Sequence, residues 1–432
     1  MKIFIRKLCL LHEKLTMWGL KGIWDWFKSF HRTIKLRLFF LGNAKKYPYC
    51  YSESGITIVG ALSGGQWSLS KVLRDFAYSL RDAGIPFQTY DIGDGSDSRE
   101  DYADILTPIS DFRIRKYSHA VEMISSPLPD GIVDNRARIV FWEFQEGVGE
   151  AFHPLLEKDD PIIAMSDFNK AYFEKAFGSR IKVNKILYPL RIDVSQVHEK
   201  KWCRKKFGFQ DSDFIVFYNF AYTSGWYRKN PCGVLKAFAK AFRNIPNAKI
   251  VFKTAARNRF PAREEELLAL AKAEGVSDKL FKFDDWMPQS HVYDLTNICD
   301  VFLSLHRGEG FGLGIAEAML LSKPVVATGY SSNTEFCSHH NSIVIPYELI
   351  DIKDNEKDAV WYRCVRHWAE PDIDAAAEAL RRLYNDETLR FELGRRARDF
   401  ISQKYSIENF RKSVLEFLKC GQASRVSPSL VK

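Results

Sequence analysis

The chain has no apolar run near the ~18 residues that would mark a membrane-spanning helix. Its eight cysteines (Cys9, Cys50, Cys203, Cys232, Cys299, Cys337, Cys364 and Cys420) never fall in Cys-x-x-Cys spacing, which argues against a zinc ribbon and a disulfide framework. A secretory leader is not expected either, because Arg6 and Lys7 interrupt the first apolar stretch and no small-residue cleavage site follows. Repeats and low-complexity arrays are also missing, which removes solenoids and disordered linkers from consideration. These absences leave a cytoplasmic globular protein as the simplest class. Apolar residues are not scarce: the hydrophobic fraction is 46% and the aromatic fraction 14%. With 432 residues, the chain is long for a single core and is expected to divide into two domains.

Positive charge is abundant and unevenly placed. The net charge is +9, and residues 1 to 46 carry Lys2, Arg6, Lys7, Lys14, Lys21, Lys28, Arg32, Lys35, Arg37, Lys45 and Lys46 against only Glu13 and Asp25. Among them stand Trp18, Trp24, Trp26, Phe27, Phe30, Phe39 and Phe40. A basic, aromatic segment of this kind suits a peripheral helix on an anionic membrane surface. A partner-docking helix has the same composition. Nucleic acid is not an expected partner, because no binding module follows.

Strand and helix patterns then alternate. Gly55 to Gly60 reads as a strand, Gly64-Gly65 as a turn and Ser68 to Ala83 as a helix. Further strands are predicted at Phe87 to Asp91, Ala120 to Ile124 and Arg138 to Glu143, the last ending in Trp142-Glu143-Phe144. After charge-rich residues up to Lys206, the pattern restarts with strands at Phe214 to Asn219 and Ala248 to Lys253 around a helix from Gly233 to Arg243. This alternation predicts an α/β protein with two doubly wound, Rossmann-like parallel sheets. The expected organisation is a basic extension over 1–50, domains over 51–195 and 196–404, and a helix and tail over 405–432. Trp368 to Asp372 is predicted to open another helix with Pro371 in its first turn, and Tyr405 to Leu418 to form an amphipathic one.

The chemistry concentrates in Ser304-Leu-His-Arg-Gly-Glu309-Gly-Phe-Gly-Leu-Gly-Ile-Ala-Glu317, which follows the strand Asp300 to Ser304. Glycines let main chain approach an anion closely, and a helix N-terminus supplies unpaired N–H groups. The two carboxylates, eight positions apart, can face one ligand and do different work.

The Glu-x7-Glu spacing, the Gly-Phe-Gly-Leu core and the following Lys323-Pro-Val-Val-Ala-Thr328 strongly resemble retaining glycosyltransferases of family four, which have the two-domain GT-B fold. The resemblance implies that Glu309 lies beside a donor sugar, with the Gly310, Phe311, Gly312 and Leu313 backbone on sugar and diphosphate. It implies that Glu317 holds the ribose. An Arg after the first strand of the second domain and a Lys after the second strand would hold the diphosphate, matching Arg228 and Lys253. Lys229 competes with Arg228 for the first role. Gly64 and Gly65 would border the donor diphosphate, Trp286 and Met287 the base, and Asn333 and Thr334 the donor through a closing loop. Many relatives carry a sugar-contacting His in the first domain, and no counterpart is found here. Glu143 is the candidate for the acceptor.

Asp-x-Asp patterns at Asp211 and Asp372 and the Asp284-Asp285 pair read as turn and cap residues, so neither a metal nor a cofactor is expected. The expected function is retaining transfer of a sugar from a nucleoside-diphosphate sugar, GDP-mannose as first guess, to a glycan or lipid-linked glycan in surface-polysaccharide or lipopolysaccharide assembly. Front-face attack is expected, because no carboxylate nucleophile is evident. The competing readings are an epimerase or phosphorylase on the same fold, and a catalytically silent membrane scaffold or glycan-binding module.

Overall fold

The computed structural model describes residues 34–46, 53–63, 68–93, 99–114, 116–123, 133, 135–151, 160–284, 287–356 and 360–422. A first sheet contains β1 (Glu53–Gly60), β2 (Phe87–Asp91), β3 (Tyr117–Met123), β4 (Asn135–Ile139), β5 (Ile162–Ala164) and β6 (Val183–Lys185), in the order β2-β1-β3-β4-β5-β6. A second contains β7 (Phe214–Ala221), β8 (Ala248–Ala255), β9 (Leu280–Phe283), β10 (Val301–Ser304), β11 (Val325–Thr328) and β12 (Ile343–Ile345), in the order β12-β11-β10-β7-β8-β9. Both are parallel sheets of six strands with helical crossovers, the expected doubly wound class. The central strands β10 and β11 are buried at every position, as sheets covered on both faces require.

By compactness the chain divides within β4, into one unit of residues 1–137 with 421–432 and another of 138–420. In the first unit, helix 34–46 inserts Phe40 and Ala44 into a core with Val59, Phe112, Ile114 and Ala120. Phe40 meets Tyr90 edge-on at 4.9 Å between centroids. Asn43 fixes the docking: its amide donates to Phe112 O at 3.2 Å, and its carbonyl accepts from Ile114 N at 2.9 Å. After β1, the N–H groups of Leu62 and Ser63 donate to Asp91 Oδ1 at 2.9 and 3.1 Å. Burial pushes the Asp91 carboxyl up, but hydrogen bonds from Ser63, Gly93 and Leu62 outweigh it and hold it below its ordinary value.

In the second unit, the helix Pro231–Phe242 packs on the β7 sheet and on the helix Ile373–Asn385, where Tyr384 meets Phe214 and Phe242 at 5.0 and 5.5 Å. Asp372 caps that second helix by accepting from Asp374 N and Ala375 N. The helices Glu387–Lys404 and Ile407–Gln422 follow.

Three elements differ from the sequence expectation. Strand β4 ends at Ile139, so Trp142 and Glu143 stand in the loop beyond it. The segment around Trp368 opens no helix. It forms β14 (His367–Pro371), which pairs antiparallel with β13 (Tyr347–Asp351) in register from Tyr347 opposite Pro371 to Asp351 opposite His367. Pro371 is tolerated there because it closes an edge strand. The amphipathic helix expected over 405–418 is split from its predecessor at Tyr405 and runs Ile407–Gln422.

Candidate functional site

Strand order in the second sheet reverses between β7 and β10, and ligands of such sheets sit beyond the strand C-termini at that point. The segments leaving those strands are residues 222–230 and 305–312. The first passes through Gly225 into one helical turn, Trp226–Lys229, which Asn230 ends at φ 52°. The Asn230 side chain caps the next helix by accepting from Gly233 N, and donates to Leu305 O at 2.9 Å. That bond ties the turn bearing Arg228 and Lys229 to the C-terminal end of β10.

Arg228 is 5% exposed. Its Nη1 donates to Gly308 O and its Nη2 to Ser224 O, both at 2.6 Å. Glu309 Oε2 lies 3.7 Å from Nη1, and Glu143 Oε1 lies 3.7 Å from Nη2. Lys229 Nζ makes the closer ion pair with Glu309 Oε1. Burial opposes ionisation of Glu309, yet Lys229, Arg228 and His306 overcome it and bring its pKa down to about 2. Burial holds Lys229 below its ordinary value against the pull of Glu309. Burial likewise opposes the Arg228 charge, but Tyr362, Glu143 and Glu309 raise its pKa. Both expected claimants to one role, Arg228 and Lys229, therefore converge on Glu309.

Glu143 behaves oppositely to Glu309. Burial raises its pKa, Arg228 works against that, and the Glu309 charge adds to it. Two carboxyls that share one guanidinium are thus pushed apart in acidity.

The turn itself is built from main chain. Gly312 sits at φ 90° as the N-cap of the helix Leu313–Leu320. A side chain on Gly314 would overlap Asn219 Oδ1 at the end of β7. Gly310 lies against Phe141, whose Cβ an added methyl would meet at 3.0 Å. The Phe311 side chain turns away from this surface. It stacks on Tyr188 at 4.4 Å and meets Phe336 and Tyr405 at 5.4 and 5.6 Å, anchoring the turn. Leu313 is half-buried at the first helical position. Glu317 is 5% exposed and accepts from Tyr293 OH at 3.4 Å.

Lys253 pairs in register with Asn219, the residue beneath Gly314, and its Nζ donates to Thr254 O at 2.8 Å. Met287 is half-buried just before the helix Gln289–Asn297. Asn333 is fully buried and spent internally: its amide donates to Thr328 O at 2.9 Å and its carbonyl accepts from His306 Nε2 at 3.0 Å. Thr334 Oγ1 donates to Ser331 O at 2.7 Å. Gly64, Gly65 and Trp286 lie outside the described residues. Asp213 accepts from Gln210 N in a turn, and Asp284 accepts from Thr254 Oγ1. Among the described residues, no three His, Cys, Asp or Glu side chains converge as a metal-ligand group.

Three neighbours of the cluster escape the sequence reading. Ser331 adopts φ 81°, a conformation non-glycine residues rarely take; its Oγ accepts from Glu309 N at 2.8 Å, and its one proton has two acceptors in reach, Glu309 O at 2.5 Å and Glu143 O at 3.0 Å. His306 is fully buried between Ser304 and Asn333. Tyr362 donates to Glu143 Oε1 at 3.3 Å. A buried strand-end His gives a weak signal; neither Ser331 nor Tyr362 gives any.

Residues 203–359 match the family model described as glycosyl transferases group 1, and they contain Arg228, Lys253, Glu309 and Glu317. Among curated proteins, the chain is 26% identical over 137 residues to EpsD of Bacillus subtilis (strain 168), which carries a glycosyltransferase name. That match spans 32% of this chain and about a third, 33%, of EpsD. Among solved structures, HepE of Anabaena in complex with UDP-glucose superposes with a TM-score of 0.64 at 15% identity, over 84% of this chain and 99% of HepE. WaaG, a glycosyltransferase involved in lipopolysaccharide biosynthesis, gives a TM-score of 0.54 at 14% identity, over 84% of this chain and 99% of WaaG. At these identities the structures establish the fold, which is GT-B.

Proposed function

We propose that the protein is a retaining glycosyltransferase that transfers a sugar from a nucleoside-diphosphate donor to a hydroxyl of a saccharide or lipid-linked oligosaccharide, in assembly of a surface polysaccharide. One observation carries the reading: a Glu309 carboxylate kept ionised by Lys229 and Arg228, in a glycine turn at the switch point of a nucleotide-type sheet. The group 1 match over the same residues supports it.

In this reading Arg228, Lys229 and Lys253 face the diphosphate. Negative charge gathers there as the glycosidic bond breaks, and fixed cations stabilise that state more than the ground state. They supply the countercharge without a metal. Glu309 stands beside the anomeric carbon, where a carboxylate favours the oxocarbenium-like state. The acceptor oxygen attacks on the face the phosphate leaves, and its proton passes to the departing phosphate oxygen. Configuration is thereby retained. Glu317 holds the ribose, the 310–313 backbone the sugar and diphosphate, and Trp286 and Met287 the base; Asn333 and Thr334 contact the donor through main chain, and Gly64 and Gly65 border the diphosphate. Glu143 meets the acceptor. Residues 1–46 hold the enzyme at the inner face of an anionic membrane.

GDP-mannose is the first donor to test, on the resemblance to surface-polysaccharide enzymes; the UDP-glucose bound to HepE makes UDP-glucose the second arm of the test. A ligand that binds only the native state raises the melting temperature. Purified protein is therefore melted with GDP-, UDP-, dTDP- and ADP-sugars, with Lys253→Ala as control, and assayed for transfer. One base should raise the melting temperature in the wild type and not in the variant. Glu309→Gln should lower transfer by a factor corresponding to about 3 kcal/mol of barrier, the scale of one lost electrostatic contact. No shift with any donor and no transfer would sink the reading and leave a silent scaffold.

A further inference from the structure

Between β13 and β14 the chain makes a strap, described over residues 352–356 and 360–366, that the proposed roles leave unused. It is fastened at several points within the second unit. Arg366 N and His367 N both donate to Glu146 Oε1, at 2.7 and 2.6 Å. Cys364 Sγ donates to Gly147 O at 3.2 Å. At its base, Arg307 lies over the Trp368 ring at 4.6 Å and donates to Glu370 Oε1 at 2.9 Å, which joins the ribbon to the turn carrying Glu309. These fastenings deliver one side chain to the charged cluster. Tyr362 is 8% exposed, with Phe144 edge-on at 5.3 Å, the Arg228 guanidinium over its ring at 5.9 Å, and Gly225 near enough that an added Cβ would meet its Cε2 at 3.3 Å. Its hydroxyl donates to Glu143 Oε1 at 3.3 Å.

We propose that Tyr362 is a positioning residue of the reaction centre: through the strap it fixes the Glu143 carboxyl against Arg228, ready to receive the hydroxyl of the acceptor. The assignment rests on the transferase reading above. Oε1 is the oxygen that Tyr362 OH and Arg228 Nη2 both reach. One carboxyl edge is thereby locked, and Oε2 is directed to the incoming hydroxyl. The charged and titratable groups around Glu143 are Arg228 and Lys229 from the helical turn, Glu309 from the glycine turn and Tyr362 from the strap. Of these, only the Tyr362 hydroxyl can be removed without changing a charge.

Tyr362→Phe keeps the ring and its packing. Two readouts are taken on full-length protein: titration of the Glu143 carboxyl by NMR of carboxyl-13C glutamate, assigned with Glu143→Gln, and the pH profile of transfer. Losing a donor that favours the anion should move the Glu143 titration to higher pH, and the acid limb of kcat/KM should follow. At neutral pH, kcat should fall about tenfold, the scale of one hydrogen bond to a charged group, with donor KM unchanged. In a Glu143→Gln background the same substitution should have no further effect. An unmoved titration in a variant that melts like wild type would overturn the proposal, as would full additivity with Glu143→Gln. If no nucleotide sugar is turned over, the function fails by itself while the titration still decides the contact.

Discussion

His306 is fully buried and uses both ring nitrogens. Asn333 Nδ2 donates to Thr328 O, so Asn333 Oδ1 must accept, and His306 Nε2 carries the proton. Nδ1 then accepts from Ser304 Oγ at 3.0 Å. Burial is the main reason the imidazole titrates below its ordinary 6.5, outweighing the Glu309 charge. In the unfolded chain the ring takes its proton near 6.5, so below that pH the unfolded state binds more protons and stability falls with pH. One such group contributes at most about 1.4 kcal/mol per pH unit. Melting temperatures from pH 7.5 to 5.5 should fall more steeply for wild type than for His306→Asn; equal slopes would show that another group titrates. At this scale the sequence is informative where chemistry and punctuation coincide. A carboxylate inside a glycine turn after a buried strand has few structural uses, so Glu309 is legible. Nothing in Ser331-Ser332-Asn333 announces a φ of 81°, and nothing in Arg228-Lys229-Asn230 announces that both cations reach Glu309.

Among elements, the glycine turn and the strap show what pattern carries and what it does not. Strands β1, β7, β8 and β10 are apolar runs ending at turn residues, and the sequence places each of them closely. β13 is mostly exposed and β14 contains a proline, so their pairing has no periodic signal and Pro371 imitates a helix start. In the turn, the tightest constraint is where the helix Leu313–Leu320 meets β7. Gly314→Ala would drive its methyl into Asn219 Oδ1 and displace the helix start that the donor is proposed to approach. Overpacking of this kind costs about 1 to 3 kcal/mol. The variant should melt lower and lose affinity for the donor that stabilises wild type. A wild-type melting curve and affinity would show that the turn adapts.

For the whole molecule, the basic N-terminal region divides into parts with different physical roles. Deleting residues 1–46 would remove Phe40 and Asn43 from the core of the first unit. Loss of a buried Phe side chain alone costs about 3 to 5 kcal/mol. Deleting 1–33 spares the described helix, whose outer face carries Ile34, Leu38 and Leu41 exposed among Lys35 and Arg37. The shorter truncation should melt like wild type and bind anionic vesicles more weakly, whereas the longer one should melt lower. Vesicle binding should fall with salt, since surface charges are screened beyond about 10 Å at 0.1 M. Undiminished binding after removal of 1–33 would assign the interaction to other residues.

The helical turn Trp226–Lys229 places an indole two positions from the guanidinium and three from the ammonium that clamp Glu309. Trp226 is 3% exposed and lies nearly parallel to Tyr222 at 5.3 Å. An anion that draws Arg228 or Lys229 toward itself acts on the turn that also carries this shielded chromophore. Binding of the proposed donor should therefore change tryptophan emission in the wild type and not in Trp226→Phe; equal responses would place the signal at other tryptophans of the chain.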